Sequence, residues 1–179
     1  MSVIGYLLAS DDRLLDRVVE WRPPRWVRVW MLGASRLADG WLWPVTAALL
    51  AASGSRGLRV LAAGTVAGVA ANALLLSVKQ RVRRPRPCER VRSPNFDVGP
   101  LAWFVSDRFS FPSGHALNSF AIGSVIALSY PVVAAPVLAV AASVAASRVV
   151  LGLHWLSDVL AGSLAGVLIG TSVWLMLLS

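Results

Sequence analysis

LRVLAAGTVAGVAANALLLSV, residues 58–78, is the stretch on which the fold turns. After Arg59 it carries no charged side chain, and at about 1.5 Å of rise per residue it comes close to the ~30 Å hydrocarbon core of a bilayer. A soluble helix needs a polar outer face, and this one has none. The segment therefore reads as a membrane-spanning helix.

Four more spans follow from the same logic. Trp41 to Ser53 is apolar but short, which places its start upstream near Asp39. Beyond a turn at Ser53–Gly57, the segment 58–78 and a polar loop from Lys79 to Pro112, further spans run from His115 to Tyr130, Val132 to Val150 and His154 to Leu178. Pro131 marks a tight turn. Upstream, Leu7, Leu8, Leu14, Leu15, Val18 and Val19 interleave with Asp11, Asp12, Arg13, Asp16, Arg17 and Glu20. That pattern makes an amphipathic helix suited to lying on a membrane, ended by Pro23-Pro24. Trp26 to Leu37 reads as a second interfacial segment. The expected fold is all-α: a polytopic transmembrane helical bundle of five spans, six if Trp26 to Leu37 enters the bilayer, with an amphipathic N-terminal helix. Residues 1–179 read as one domain, with 1–38 interfacial and 39–179 the transmembrane core.

Composition agrees. Of the 179 residues 56 % are hydrophobic, the mean hydropathy is +0.66, and the formal net charge is nevertheless +8, so the charge belongs to loops and ends. A basic, apolar chain fits a membrane protein whose rims meet anionic lipid. Nucleic acid is excluded as a partner for want of a soluble basic face. Cys88 is the one cysteine, which rules out an intrachain disulfide. No cleavable signal is read at Val3 to Ala9, where no basic residue leads the apolar stretch. Trp41, Trp43, Trp155 and Trp174 fall near span ends, as an interfacial belt requires. Gly64 and Gly68 form one small-xxx-small pair, and Gly162, Gly166 and Gly170 form two more. These serve either packing inside the bundle, the favoured reading, or a homodimer seam.

Three runs carry chemistry. KQRVRRPRP, Lys79 to Pro87, is cationic, and alone it reads equally as a lipid-facing rim. FPSGH, Phe111 to His115, places Ser113 to cap a helix whose free amides make an anion site. SRVVLGLHWLSD, Ser147 to Asp158, sets His154 and Asp158 four apart at a helix start, on one face. A carboxylate there accepts from one imidazole nitrogen and leaves the other free to attack; a helix-capping pair is the plainer alternative. Both histidines of the chain fall within these runs. Because spans alternate direction, Lys79, Arg86, Arg148, His115 and His154 share one side of the bilayer. Cations and amides around a nucleophile and an acid are what phosphoryl transfer needs.

Lys79-x6-Arg86-Pro87, Pro112-Ser113-Gly114-His115 and Ser147-Arg148-x5-His154-x3-Asp158 resemble, without gap or substitution, the three motifs of the type 2 phosphatidic acid phosphatase (PAP2) superfamily. The resemblance covers about Leu58 to the C-terminus. It implies a bacterial inner-membrane protein that hydrolyses a lipid phosphate, monoester or diphosphate, through a phosphohistidine. It implies His154 as nucleophile, Asp158 as its orienting carboxylate and His115 as general acid and base. Lys79, Arg86, Arg148 and the Ser113-Gly114 amides would bind the phosphoryl oxygens. No metal or other cofactor is expected, since the cations supply the charge and no acidic cluster is seen. Many bacterial members carry an extra span ahead of the amphipathic region; none is read here.

Three alternatives stand behind this reading: a soluble haloperoxidase, a non-catalytic lipid-phosphate-binding protein, and a transporter, for which Asn72 and Asn118 give too few mid-span polar groups. The loop holding Phe96, Trp103, Phe104 and Phe109 reads as a lid over the head group. Basic residues crowd the side of the site, which places it in the cytoplasm.

Overall fold

The computed structural model describes residues 3–21, 23–91, 96 and 109–179, with the side chains of residues 3–9 left aside. Every regular element among them is helical. Helix α1 (Val3–Glu20) ends before Pro23-Pro24, and α2 (Arg25–Arg36) follows. A π turn, Leu37–Trp41, leads without a break into α3 (Leu42–Ala52), so Arg25 to Ala52 is one continuous helix. The interfacial segment and first span expected from the sequence are thus a single rod, and the boundary placed at 38/39 falls inside it. After Ser53 come α4 (Gly54–Val82), the single turn α5 (Pro87–Arg90) and α6 (Gly114–Ser129). A 3-10 turn, Pro131–Val133, then leads into α7 (Ala134–Val150), and α8 (Leu156–Leu177) closes the chain.

Among the described residues, three segments are long and apolar enough to cross a membrane: Gly54–Arg90, Pro131–Val150 and Leu156–Leu177. With 11 and 16 residues, α3 and α6 are shorter. Large apolar side chains, including Leu49, Val69, Val132, Leu164, Leu168 and Met176, face outward, as a lipid-facing surface requires.

Helix α6 is the axis of the bundle, packed against α4, α7 and α8. Its Leu117, Ala121 and Val125 are fully buried against Val60, Ala63, Ala67 and Ala71 of α4. The α8 glycines are spent on this contact. A Cβ on Gly162, Gly166 or Gly170 would lie 2.6, 2.4 or 2.2 Å from the carbonyl oxygens of Ser113, Leu117 and Ala121. All three are buried within the chain. On Gly64 and Gly68 a Cβ would meet Ile122 at ordinary contact distances of 3.6 and 3.5 Å, so that pair is not needed for close approach.

Two expectations need correction. Trp155 is no belt residue: it is buried, its indole N–H donates to the Pro85 carbonyl at 2.9 Å, and Arg84 lies 4.7 Å over its ring. Helix α1 does not keep all its charges outward. Asp11 is buried, accepting from the Ser157 backbone N–H at 2.9 Å, from the Ser157 hydroxyl, and from Arg84 Nη2 at 2.8 Å. An amphipathic pattern shows which face is apolar, but not that a carboxylate on that helix will find the N-terminus of another.

Candidate active site

The three sequence runs meet at one end of the bundle. Lys79 closes the last turns of α4, and Arg86 lies in the extended 83–86 segment that the αL residue Arg83 begins. His115 sits in the first turn of α6 and Arg148 in the last turn of α7. His154 occupies the bend between α7 and α8, and Asp158 the first turn of α8. Lys79, Arg86, Gly114, His115, Arg148 and His154 line one cavity of about 420 Å³. Ser113 and Asp158, fully buried, lie behind it. The backbone ties these parts together: Ser113 N–H donates to the Asp158 carbonyl at 3.0 Å, and Cys88 N–H to the Gly152 carbonyl at 3.0 Å.

His154 is held differently from the sequence expectation. Its Nδ1 lies 2.7 Å from the Ser110 carbonyl oxygen and 3.7 Å from Asp158 Oδ2. A carbonyl only accepts, so Nδ1 carries the proton and Nε2 the lone pair, 3.2 Å from Arg86 Nη1. Burial, opposed by the neighbouring Asp158 carboxylate and reinforced by Arg86 and Arg148, pulls this imidazole from 6.5 down to about 3. The ring is neutral at physiological pH. Asp158 serves the turn instead: Oδ2 accepts from Trp155 N–H at 2.9 Å and Oδ1 from Arg84 Nη1 at 2.8 Å. Arg84 thereby bridges Asp158 and Asp11.

Ser113 occupies the N-cap position of α6 by its backbone, but its hydroxyl makes no cap bond. Among the described residues, Ser113 Oγ and Arg148 Nε are buried polar atoms without a partner. Buried donors of this kind are costly unless something satisfies them. A helix N-terminus with such donors beside it is an arrangement that can accept an anion.

Sequence reasoning missed Ser110, Arg84, Ser35 and Asp39. Arg148 Nη1 donates to the buried Ser35 Oγ at 2.5 Å, and His115 Nε2 lies 2.5 Å from Asp39 Oδ1. Nothing in the motif spacing marks these residues; the folded path of Arg25–Ala52 brings in Ser35 and Asp39. Asn72 and Asn118 line the same cavity, their amides paired at 3.2 and 3.3 Å. Of the lid residues, Trp103 and Phe104 lie outside the described residues. Phe96 is buried against Gly152, which at φ +66° has room for no side chain.

The PAP2 superfamily model matches residues 57–178. A decaprenylphosphoryl-5-phosphoribose phosphatase of Mycobacterium tuberculosis is 35 % identical over 117 residues, covering 63 % of this chain and 58 % of that relative. The chain thus spans less than two thirds of the curated relative's length. A transmembrane PAP2-type phosphatidylglycerolphosphate phosphatase from Bacillus subtilis superposes with a TM-score of 0.70 at 23 % identity, over 96 % of this chain and 86 % of that one. LpxE of Aquifex aeolicus gives 0.74 at 23 % identity, over 90 % and 92 %. These two likenesses establish a shared fold. The match across 57–178 places the chain in a family: it belongs to the PAP2 superfamily.

Proposed function

We propose that this chain is an integral membrane lipid phosphatase that works through a phosphohistidine on His154. The observation that carries the reading is the buried, neutral imidazole, its proton held at Nδ1 by the Ser110 carbonyl and its Nε2 lone pair turned to Arg86 in a cationic cavity. Nε2 attacks phosphorus in line as the leaving oxygen departs with a proton from His115. Arg86, Arg148, Lys79, Ser113 and the α6 amides hold the phosphoryl oxygens and stabilise the charge of the transition state. Asp158 fixes the turn that presents the nucleophile. His115 then takes a proton from water, whose oxygen displaces His154 and yields inorganic phosphate. The N-terminal helices work as one unit with the bundle.

A lipid substrate is favoured by a second, apolar cavity of about 470 Å³ between α3, α6 and α7, which shares Trp43 and Ile122 with the first. A head group in one cavity and a tail in the other would suit a polyprenyl phosphate or diphosphate or a phospholipid. The likeness to the mycobacterial relative favours a polyprenyl-phosphoryl pentose phosphate. Of the 17 Lys and Arg, a five-span arrangement leaves only Arg56 and Arg59 opposite the site, which favours a cytoplasmic site on a bacterial inner membrane and a biosynthetic step there.

The purified protein tests this against phosphatidic acid, phosphatidylglycerophosphate, a polyprenyl diphosphate and a polyprenyl-phosphoryl pentose phosphate. Phosphate release is expected from at least one, is abolished in folded His154→Ala, and falls to a small residual rate in folded His115→Ala and Arg148→Ala. Undiminished turnover in His154→Ala would sink the mechanism.

A further inference from the structure

Asp39 lies outside all three motif runs and outside the family-matched segment, yet it makes the one direct side-chain ion pair described for His115, Oδ1 to Nε2 at 2.5 Å. The helix is built to put it there. In the π turn the Leu42 N–H reaches back five residues to the Leu37 carbonyl, and the Ala38 carbonyl is taken by the Trp43 indole N–H at 3.1 Å. Single π turns inside α-helices are often found at functional sites. One turn earlier on the same rod, Ser35 accepts from Arg148. Polar groups of the Arg25–Ala52 helix thus enter the site at two points. The other charges acting on His115 are Arg148 from α7 and Arg86 from the 83–86 segment, with Lys79 of α4 and His154 lining the same cavity. All the fixed charges but Asp39 are positive, and a protonated His115 among them needs an anion beside it.

We propose that Asp39 is the positioning residue for the proton-transferring His115: its carboxylate accepts Nε2–H and leaves Nδ1 as the nitrogen that exchanges protons in the reaction. This rests on the phosphatase reading above. In the first half-reaction the P–O bond breaks, its electron pair stays on the leaving oxygen, and that oxygen takes the Nδ1 proton. In the second, Nδ1 takes a proton from water, the water oxygen bonds phosphorus, and the P–N bond to His154 breaks. Throughout, Nε2–H stays on Asp39.

The test is phosphate release from a short-chain phosphatidic acid, or whichever of the four lipids the wild type hydrolyses, from about pH 5 to 9. The full chain in detergent is compared with Asp39→Asn, Asp39→Glu, His115→Gln and the Asp39→Asn/His115→Gln pair. Asp39→Asn is expected to lower kcat roughly 10- to 100-fold, part of what a general acid contributes, with KM little changed. It should also displace the limb of the pH profile that reports proton transfer. Asp39→Glu should recover part of the rate, and Asp39→Asn should cost nothing further in the His115→Gln background. A wild-type kcat and pH profile in folded Asp39→Asn would overturn the proposal, as would a loss that multiplies with that of His115→Gln. If Asp39→Asn does not fold, Asp39→Glu decides: an unmoved pH profile would overturn the proposal. A wild type inactive on all four lipids would instead remove the phosphatase reading, and this proposal with it.

Discussion

His154 and Asp158 stand four apart in the sequence and 3.7 Å apart in space, yet the imidazole donates to a backbone carbonyl and the carboxylate braces the turn. An i,i+4 spacing brings two side chains to one face but does not choose among acceptors, and the competing Ser110 carbonyl is 44 residues away. Every residue of the three motifs could be read as part of a site because each type is chemically committed: cations, small residues with free amides, two imidazoles. Ser110, contributing only a backbone oxygen, leaves no trace in a sequence, and Asp39 looked like the edge of a span. The geometry predicts a graded response. Asp158→Asn keeps an oxygen for one of its two donors and leaves the Ser110 contact intact, so phosphate release should fall but stay measurable, whereas His154→Ala should leave none. Equal and complete loss in both, with both folded, would show that Asp158 acts on the ring directly.

At the scale of helices, the boundaries were legible wherever a proline, a turn or a charge run interrupts the apolar pattern. The expected spans from His115, Val132 and His154 correspond to α6, α7 and α8 within two residues at either end. They were illegible where helix continues through polar sequence, as across Leu37–Trp41, because a π turn interrupts no hydrogen-bonded rod. The glycines of α8 repeat every four residues and present only hydrogen to three carbonyls of α6. In lipid, where burial of apolar surface gives little drive between helices, such contact is much of what holds a pair together. Gly166→Ala should therefore destabilise the protein by about 1–3 kcal/mol through overpacking, while Gly64→Ala, facing only Ile122, should be close to neutral. Thermal unfolding in detergent separates the two; equal stability of both variants would mean that α6 and α8 can part without cost.

For the molecule as a whole, charge and hydropathy sufficed to say membrane, and the three motifs sufficed to say which family. Sidedness turns on the number of crossings. Cys88, in the short α5 beside the site, reports on it directly. Its thiol is half-buried, so labelling calls for mildly alkaline buffer. A membrane-impermeant maleimide should leave Cys88 untouched in intact bacteria expressing the chain and modify it after permeabilisation; labelling in intact cells would put the site outside. The strut that Asp11 makes to Arg84 and Ser157 has a consequence for modularity. Cutting the protein back to the segment shared across its family, 57–178, would remove Asp11, Ser35 and Asp39 together. Arg84 would lose one of its two carboxylates, Arg148 its serine and His115 its aspartate. The portion recognisable by descent thus leaves out side chains on which Arg84, Arg148 and His115 rest.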